Sequence, residues 1–92
     1  MGSPSSYQPR FVPQFNQVYQ AAECTFVTVR YEGGGADPVA MLVGDQNPPN
    51  LSLGLLEYEH GNASWVVRPG EFWVLRCKRD DGGGFRAMAT PM

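Results

Sequence analysis

Apolar residues crowd most densely into residues 64–79, Ser-Trp-Val-Val-Arg-Pro-Gly-Glu-Phe-Trp-Val-Leu-Arg-Cys-Lys-Arg, where two runs of them flank Pro69-Gly70. Their β-branched and aromatic content predicts two strands. In a hairpin about Pro69-Gly70, Val67 lies opposite Phe72, Val66 opposite Trp73 and Trp65 opposite Val74, and opposed residues share a face. One face then carries Trp65, Val67, Phe72 and Val74, and the other Val66, Trp73, Leu75 and Cys77. Both are apolar, whereas a ribbon with one wet face alternates apolar and polar, so cover is expected on both sides. Pro followed by Gly suits a type II turn, while two-residue hairpins prefer the primed types. A corner passing between the two sheets of a sandwich therefore stands as the alternative to the hairpin.

The rest of the chain reads as short strands and loops. Residues 22–31 are β-branched and aromatic, a strand. Gly33-Gly34-Gly35 follows as a loop, since no Lys-Ser/Thr and no helix come after it to make a phosphate cradle. Residues 39–43 form a short strand, and residues 44–50 a polar loop stiffened by Pro48 and Pro49. Residues 51–60 form a strand ending at Gly61-Asn62, a pair that supports a tight primed turn. That turn sets Tyr58 opposite Trp65 and Leu56 opposite Val67. The core face then collects Leu56, Tyr58, Trp65, Val67, Phe72 and Val74, and the second face Leu55, Glu57, Glu59, Val66, Trp73 and Leu75. Residues 80–84, Asp-Asp-Gly-Gly-Gly, are a flexible tip and residues 85–90 the last strand. Six strands with short turns predict an all-β fold, a small antiparallel β-sandwich or partly open barrel.

Residues 1–20 differ from this pattern. Pro4, Pro9 and Pro13 forbid a regular helix through Pro13 and favour extended backbone, with a short helical turn allowed near residues 15–19. Solvated tails are poor in aromatics, but this segment carries Tyr7, Phe11, Phe15 and Tyr19. It is expected to be an extended arm that docks on a partner, with about the first six residues loose, leaving residues 21–92 as the sandwich domain. Removing the arm is then expected to leave a folded domain that no longer joins its partner.

The chain has 92 residues and a formal net charge of −2, enough for one domain with a modest core. Its basic residues are scattered, and the one cluster, Arg76, Lys78 and Arg79, sits beside Asp80 and Asp81, which argues against nucleic acid as a partner. No apolar run is long enough to cross a bilayer, and no secretory signal opens the chain, so neither membrane insertion nor export is expected. The start Met1-Gly2-Ser3-Pro4-Ser5-Ser6 matches a myristoylation pattern and reads as chance or a cloning remnant. In that setting Cys24 and Cys77 are expected to be free, buried thiols. Leu75 stands where an immunoglobulin-type staple around a tryptophan would have tyrosine. The glycosylation patterns at Asn50 and Asn62 carry no meaning outside the secretory pathway.

Candidate chemistry is sparse. His60 reads as a solvated turn residue. Glu57 and Glu59 alternate on one strand face about 7 Å apart, which usually serves solubility. There is no nucleophile with a base, and one His with two distant Cys lacks metal-ligand spacing. No catalysis, metal or cofactor is expected.

A short β-sandwich with an extended N-terminal arm, glycine-rich tips and a strand opening with Pro69-Gly70-Glu71-Phe72 resembles the small decoration, or cement, and tail accessory proteins of phage particles. The resemblance implies a virion protein, assembled in the host cytoplasm, that stabilises a particle by bridging its major subunits, often as a trimer. It supplies no site residues. From the pattern itself, protein partners are expected at Tyr7, Phe11, Phe15, Tyr19, Val66, Trp73 and Leu75. Burying one large apolar side chain contributes about 1.5 to 3 kcal/mol, so a partner covering Trp73, Val66 and Leu75 would recover several kcal/mol. On this reading Trp73→Ala weakens assembly more than folding. The alternative is a carbohydrate-binding module, with Trp73, Trp65 or Tyr58 as a stacking platform and Glu57 and Glu59 accepting hydroxyl hydrogen bonds. A third reading is a small inhibitor or adaptor that pairs through an exposed sheet edge.

Overall fold

The computed structural model describes residues 10–33, 37–56, 61–80 and 82–92. They form seven strands: β1 (Tyr19–Gln20), β2 (Thr25–Tyr31), β3 (Val39–Gly44), β4 (Leu51–Leu56), β5 (Asn62–Val67), β6 (Phe72–Cys77) and β7 (Phe85–Pro91). Two antiparallel sheets result, one of four strands ordered β1-β6-β3-β4 and one of three ordered β5-β2-β7. The all-β sandwich expected from the pattern is therefore what the chain forms, with β1 as one strand more than the six anticipated.

Alternation along the strands builds the interior. Thr25, Val27 and Val29 of β2, Phe85, Ala87 and Ala89 of β7 and Val67 of β5 are buried from one sheet. From the other come Val39, Met41 and Val43 of β3, Trp73, Leu75 and Cys77 of β6 and Leu56 of β4. Cys24 and Cys77 are both free, Cys77 being buried and Cys24 half-buried.

Pro69-Gly70 is the corner, and the hairpin register across it does not form. β5 pairs with β2, whereas β6 pairs with β1 and β3. The Glu71 N–H donates to the Arg68 carbonyl at 3.1 Å, and Gly70 takes the positive φ of 87° that a type II turn places there. An unprimed turn splays the strands it joins, so the second strand is free to enter the other sheet. Reciprocal bonds bolt the corner to the end of β1: Gly70 N–H to the Ala21 carbonyl at 2.7 Å, and Ala21 N–H to the Glu71 carbonyl at 2.9 Å.

The second expected hairpin is also replaced. β4 pairs with β3 and β5 with β2, so Leu56 and Val67 are not cross-strand partners and face one another's sheet across the core. Glu57, Tyr58, Glu59 and His60 lie outside the described residues. Trp65, half-buried on the inner side of β5, packs on Gly54 of β4, where an added Cβ would come within 2.9 Å of the indole Nε1. Gly54→Ala is expected to lower stability by about 1–3 kcal/mol through overpacking, read from urea melts; a neutral result would show that Trp65 has room to tilt. The β3–β4 register shifts between Met41 and Leu42, leaving Leu53 as the extra residue of a bulge.

Residues 82–84 are a packed turn, where the glycine run predicted a flexible tip. Gly82 and Gly84 are buried, and a side chain at Gly82 would fall inside the Phe15 ring.

Candidate docking surfaces

Residues 10–20 are expected to reach a partner, but they dock on their own chain. Phe11 bridges to Ala89 of β7, with N–H to carbonyl bonds of 3.0 and 2.9 Å in the two directions. Eight residues later Tyr19 pairs with Trp73 of β6 in the opposite sheet. The segment is thus a strap that closes one flank of the sandwich by crossing from β7 to β6.

Asn16 fastens the middle of the strap. Its backbone N–H donates to the Leu75 carbonyl at 2.7 Å, its side-chain Nδ2 donates to the Cys77 carbonyl at 2.8 Å, and its Oδ1 accepts the Cys77 N–H at 2.9 Å. Nδ2 also reaches Asp80 Oδ1 at 2.8 Å. Asn16 sits at φ 65°, a left-handed conformation that asparagine tolerates better than most residues. This turn replaces the helical turn allowed near residues 15–19. Nothing in the hydrophobic pattern marks Asn16; the cue available was an asparagine between two aromatic positions of a proline-broken segment.

The expected partner-binding set therefore divides. Trp73 and Leu75 are 1% and 0% exposed, Phe15 is buried against Gly82, and Tyr19 stacks on Trp73 with ring centroids 5.0 Å apart. Phe11 completes this cluster at 5.5 Å from Tyr19 and 6.4 Å from Trp73, and keeps part of its ring in solvent. The cover that the pattern demanded for Trp73 and Leu75 comes from within the chain, which corrects their reading as an interface. Val66 stands apart on the outer face of the three-stranded sheet, opposite Phe26, and is half exposed. Tyr7 lies outside the described residues. Of the residues offered as a sugar platform, Trp73 is in the core and half-buried Trp65 packs on Gly54, while Tyr58 lies outside the described residues.

The apolar surface left open is elsewhere. β4 is the last strand of its sheet, and Leu51, Leu53 and Leu55 are 59%, 42% and 55% exposed. Its sequence Leu-Ser-Leu-Gly-Leu-Leu has no charge. On the outer side of this sheet half-buried Ala40 and Leu42 of β3 adjoin Leu55 and Ser52, while Val74 of β6 is 1% exposed and adds nothing to the open surface.

The outer side of the other sheet holds a groove of about 360 Å³ lined by Val12, Thr28, Arg30, Glu32, Arg86 and Met88 among others. Arg30 and Arg86 are opposed on β2 and β7, and Glu32 accepts both, at 2.6 and 3.8 Å. These are exposed ion pairs that contribute little. Arg79 of the basic cluster pairs with Asp37 at 3.0 Å.

Among the described residues no group of three His, Cys, Asp or Glu is placed to hold a metal, and no helix is long and apolar enough to cross a membrane. Among the described residues one carboxyl is perturbed. The Arg68 backbone N–H and then its guanidinium hydrogen-bond Glu71 and hold its pKa below the ordinary 4.5. Because the folded pKa is the lower one, the stabilisation is present above pH 4.5 and lost as pH falls through the folded value. Glu71→Gln is expected to cost at most about 1 kcal/mol at neutral pH, the Arg68 partner being exposed. Denaturant melts across pH should show that difference vanishing in acid, and a difference constant with pH would contradict the assignment. Set against known proteins, the chain matches no family model, no curated protein and no solved structure.

Proposed function

We propose that this chain is a non-enzymatic assembly protein that docks on neighbouring protein subunits through the β4 flank of its sandwich. The observation that carries the reading is that Leu51 on the inner side, Leu53 at the bulge and Leu55 on the outer side are all left exposed on an uncharged strand at a sheet edge. Unpaired strand edges are templates for another chain, and most soluble proteins blunt them with charge, proline or cover. Here the leucines occupy the positions that such protection would take. The finer form of this reading, a virion decoration or tail accessory protein bridging major subunits, rests on the sequence resemblance alone, and the docked N-terminal segment takes away the extended arm that was part of it. The carbohydrate-binding alternative draws no support from Trp73, which the strap covers.

Velocity sedimentation of lysate from cells that make the protein tests the reading. The native chain is expected in large particles, and a Leu53→Lys/Leu55→Lys variant at the top of the gradient. A native chain that sediments throughout as a free 10.1 kDa species overturns it.

A further inference from the structure

We infer that the occupant of the β4 edge is a second copy of this chain, joined by antiparallel β4–β4 pairing about a two-fold axis. This rests on the assembly reading above, names the neighbouring subunit at that edge, and makes the closed dimer the unit that enters the larger particle. The two flanks of the sandwich differ in the way this requires. On one, the strap occupies the free edges of β7 and β6. On the other, β4 and β5 end their sheets facing each other, and the outward N–H and carbonyl groups of β4 have no backbone partner among the described residues.

Charge permits this occupant, and register selects it. Neither Leu51–Leu56 nor Asn62–Val67 contains a charged residue. A second copy of β4 therefore meets no like charge along the strand, the repulsion that penalises pairing of identical charged strands. Shape agrees with charge. A dyad between Leu53 and Gly54 pairs all six residues, placing Leu51 opposite Leu56 and Ser52 opposite Leu55 of the second copy. In a regular six-residue strand this register would set opposite faces together, because side chains alternate. The bulge at Leu53 removes the conflict. By their β3 partners, Leu51 (with Val43) and Leu56 (with Val39) belong to the inner side, and Ser52 (with Leu42) and Leu55 (with Ala40) to the outer side. Opposed residues then share a face, and one sheet runs through both copies. The contact is isologous and closes on itself, which distinguishes it from open-ended strand addition.

The test uses the purified full chain. Size-exclusion with light scattering over a wide concentration range is expected to show a species of twice 10.1 kDa that dissociates on dilution. Leu55→Lys is expected to remove that species while leaving the thermal midpoint of the monomer unchanged. Ser52→Lys serves as the second variant should Leu55→Lys fail a circular dichroism check. In a Cys24→Ser background, Ser52→Cys/Leu55→Cys is expected to oxidise to a covalent dimer, and neither single variant to do so. A monomer at every concentration, a dimer indifferent to both lysine variants, a dimer that the paired cysteines do not lock, or open-ended aggregates would each overturn the inference. A monomer that still travels in large particles from lysate overturns self-pairing alone and leaves the assembly reading standing. A monomer that travels in none removes both.

Discussion

A chain truncated to begin at Ala21 is expected to lose its cooperative thermal transition and the near-ultraviolet circular dichroism of its tryptophans. The truncation removes Phe15 from the core, worth about 1.5–3 kcal/mol. It also removes the Asn16 side-chain bonds to Cys77, each about 0.5–1.5 kcal/mol, and Tyr19 from the face of Trp73, about 0.5–1.5 kcal/mol beyond its area. The exposure of Trp73 adds to these. The total is on the order of 5 kcal/mol, comparable with the whole stability of a small domain. Phe15→Ala in the intact chain should lower the midpoint and keep the transition cooperative. A truncated chain that melts cooperatively with Trp73 fluorescence still buried would show that the sandwich closes without the strap. Sequence reasoning expected that outcome, treating residues 1–20 as an arm separate from a domain of residues 21–92.

Trp73→Ala should destabilise the isolated protomer by about 3–5 kcal/mol, the cost of a large cavity plus lost transfer free energy. At roughly 4–8 °C per kcal/mol for a domain of this size, the melting midpoint falls by about 12–40 °C. Trp73 is 1% exposed, paired across β1 with Tyr19 and across β3 with Val43, so little else can collapse into the space. Urea melts of the monomer measure the loss directly. Trp73→Phe, which keeps a ring for Tyr19 to stack on, should recover part of it. A loss confined to association, with monomer stability unchanged, would restore the interface reading of this residue.

These two results bear on how the aromatic content is divided. The sandwich uses its own N-terminal segment for the role that a partner would otherwise fill on one flank, and, among the described residues, nothing of the kind on the other. Phe15 packing on Gly82 and the corner bonds between Gly70 and Ala21 tie the strap to both ends of β6. The flank of β4 and β5 has no second segment to close it among the described residues. The apolar surplus evident in the sequence is real, and its open part lies on Leu51, Leu53 and Leu55 instead of Trp73 and Leu75.

The amino-acid sequence by itself determined that the chain is all-β, where most strands run, and which of their residues alternate inward. Thr25, Val27 and Val29, or Phe85, Ala87 and Ala89, carry that signal locally, because strand geometry turns successive side chains to opposite faces. Pro69-Gly70 signalled a turn with positive φ at Gly70, and the pattern left both hairpin and corner open. Only the tertiary structure decided which strands pair. Leu56 and Val67 point inward whether they are neighbours in one sheet or meet across the core from two, so their hydrophobic pattern is the same in both arrangements. It also decided what covers Trp73, since a strap is held by a few long-range bonds, as at Asn16, that leave no periodicity in the sequence. The bulge at Leu53, on which the self-matching of β4 depends, belongs to the same class: it is set by how β3 and β4 fit, and six residues of leucine, serine and glycine do not announce it.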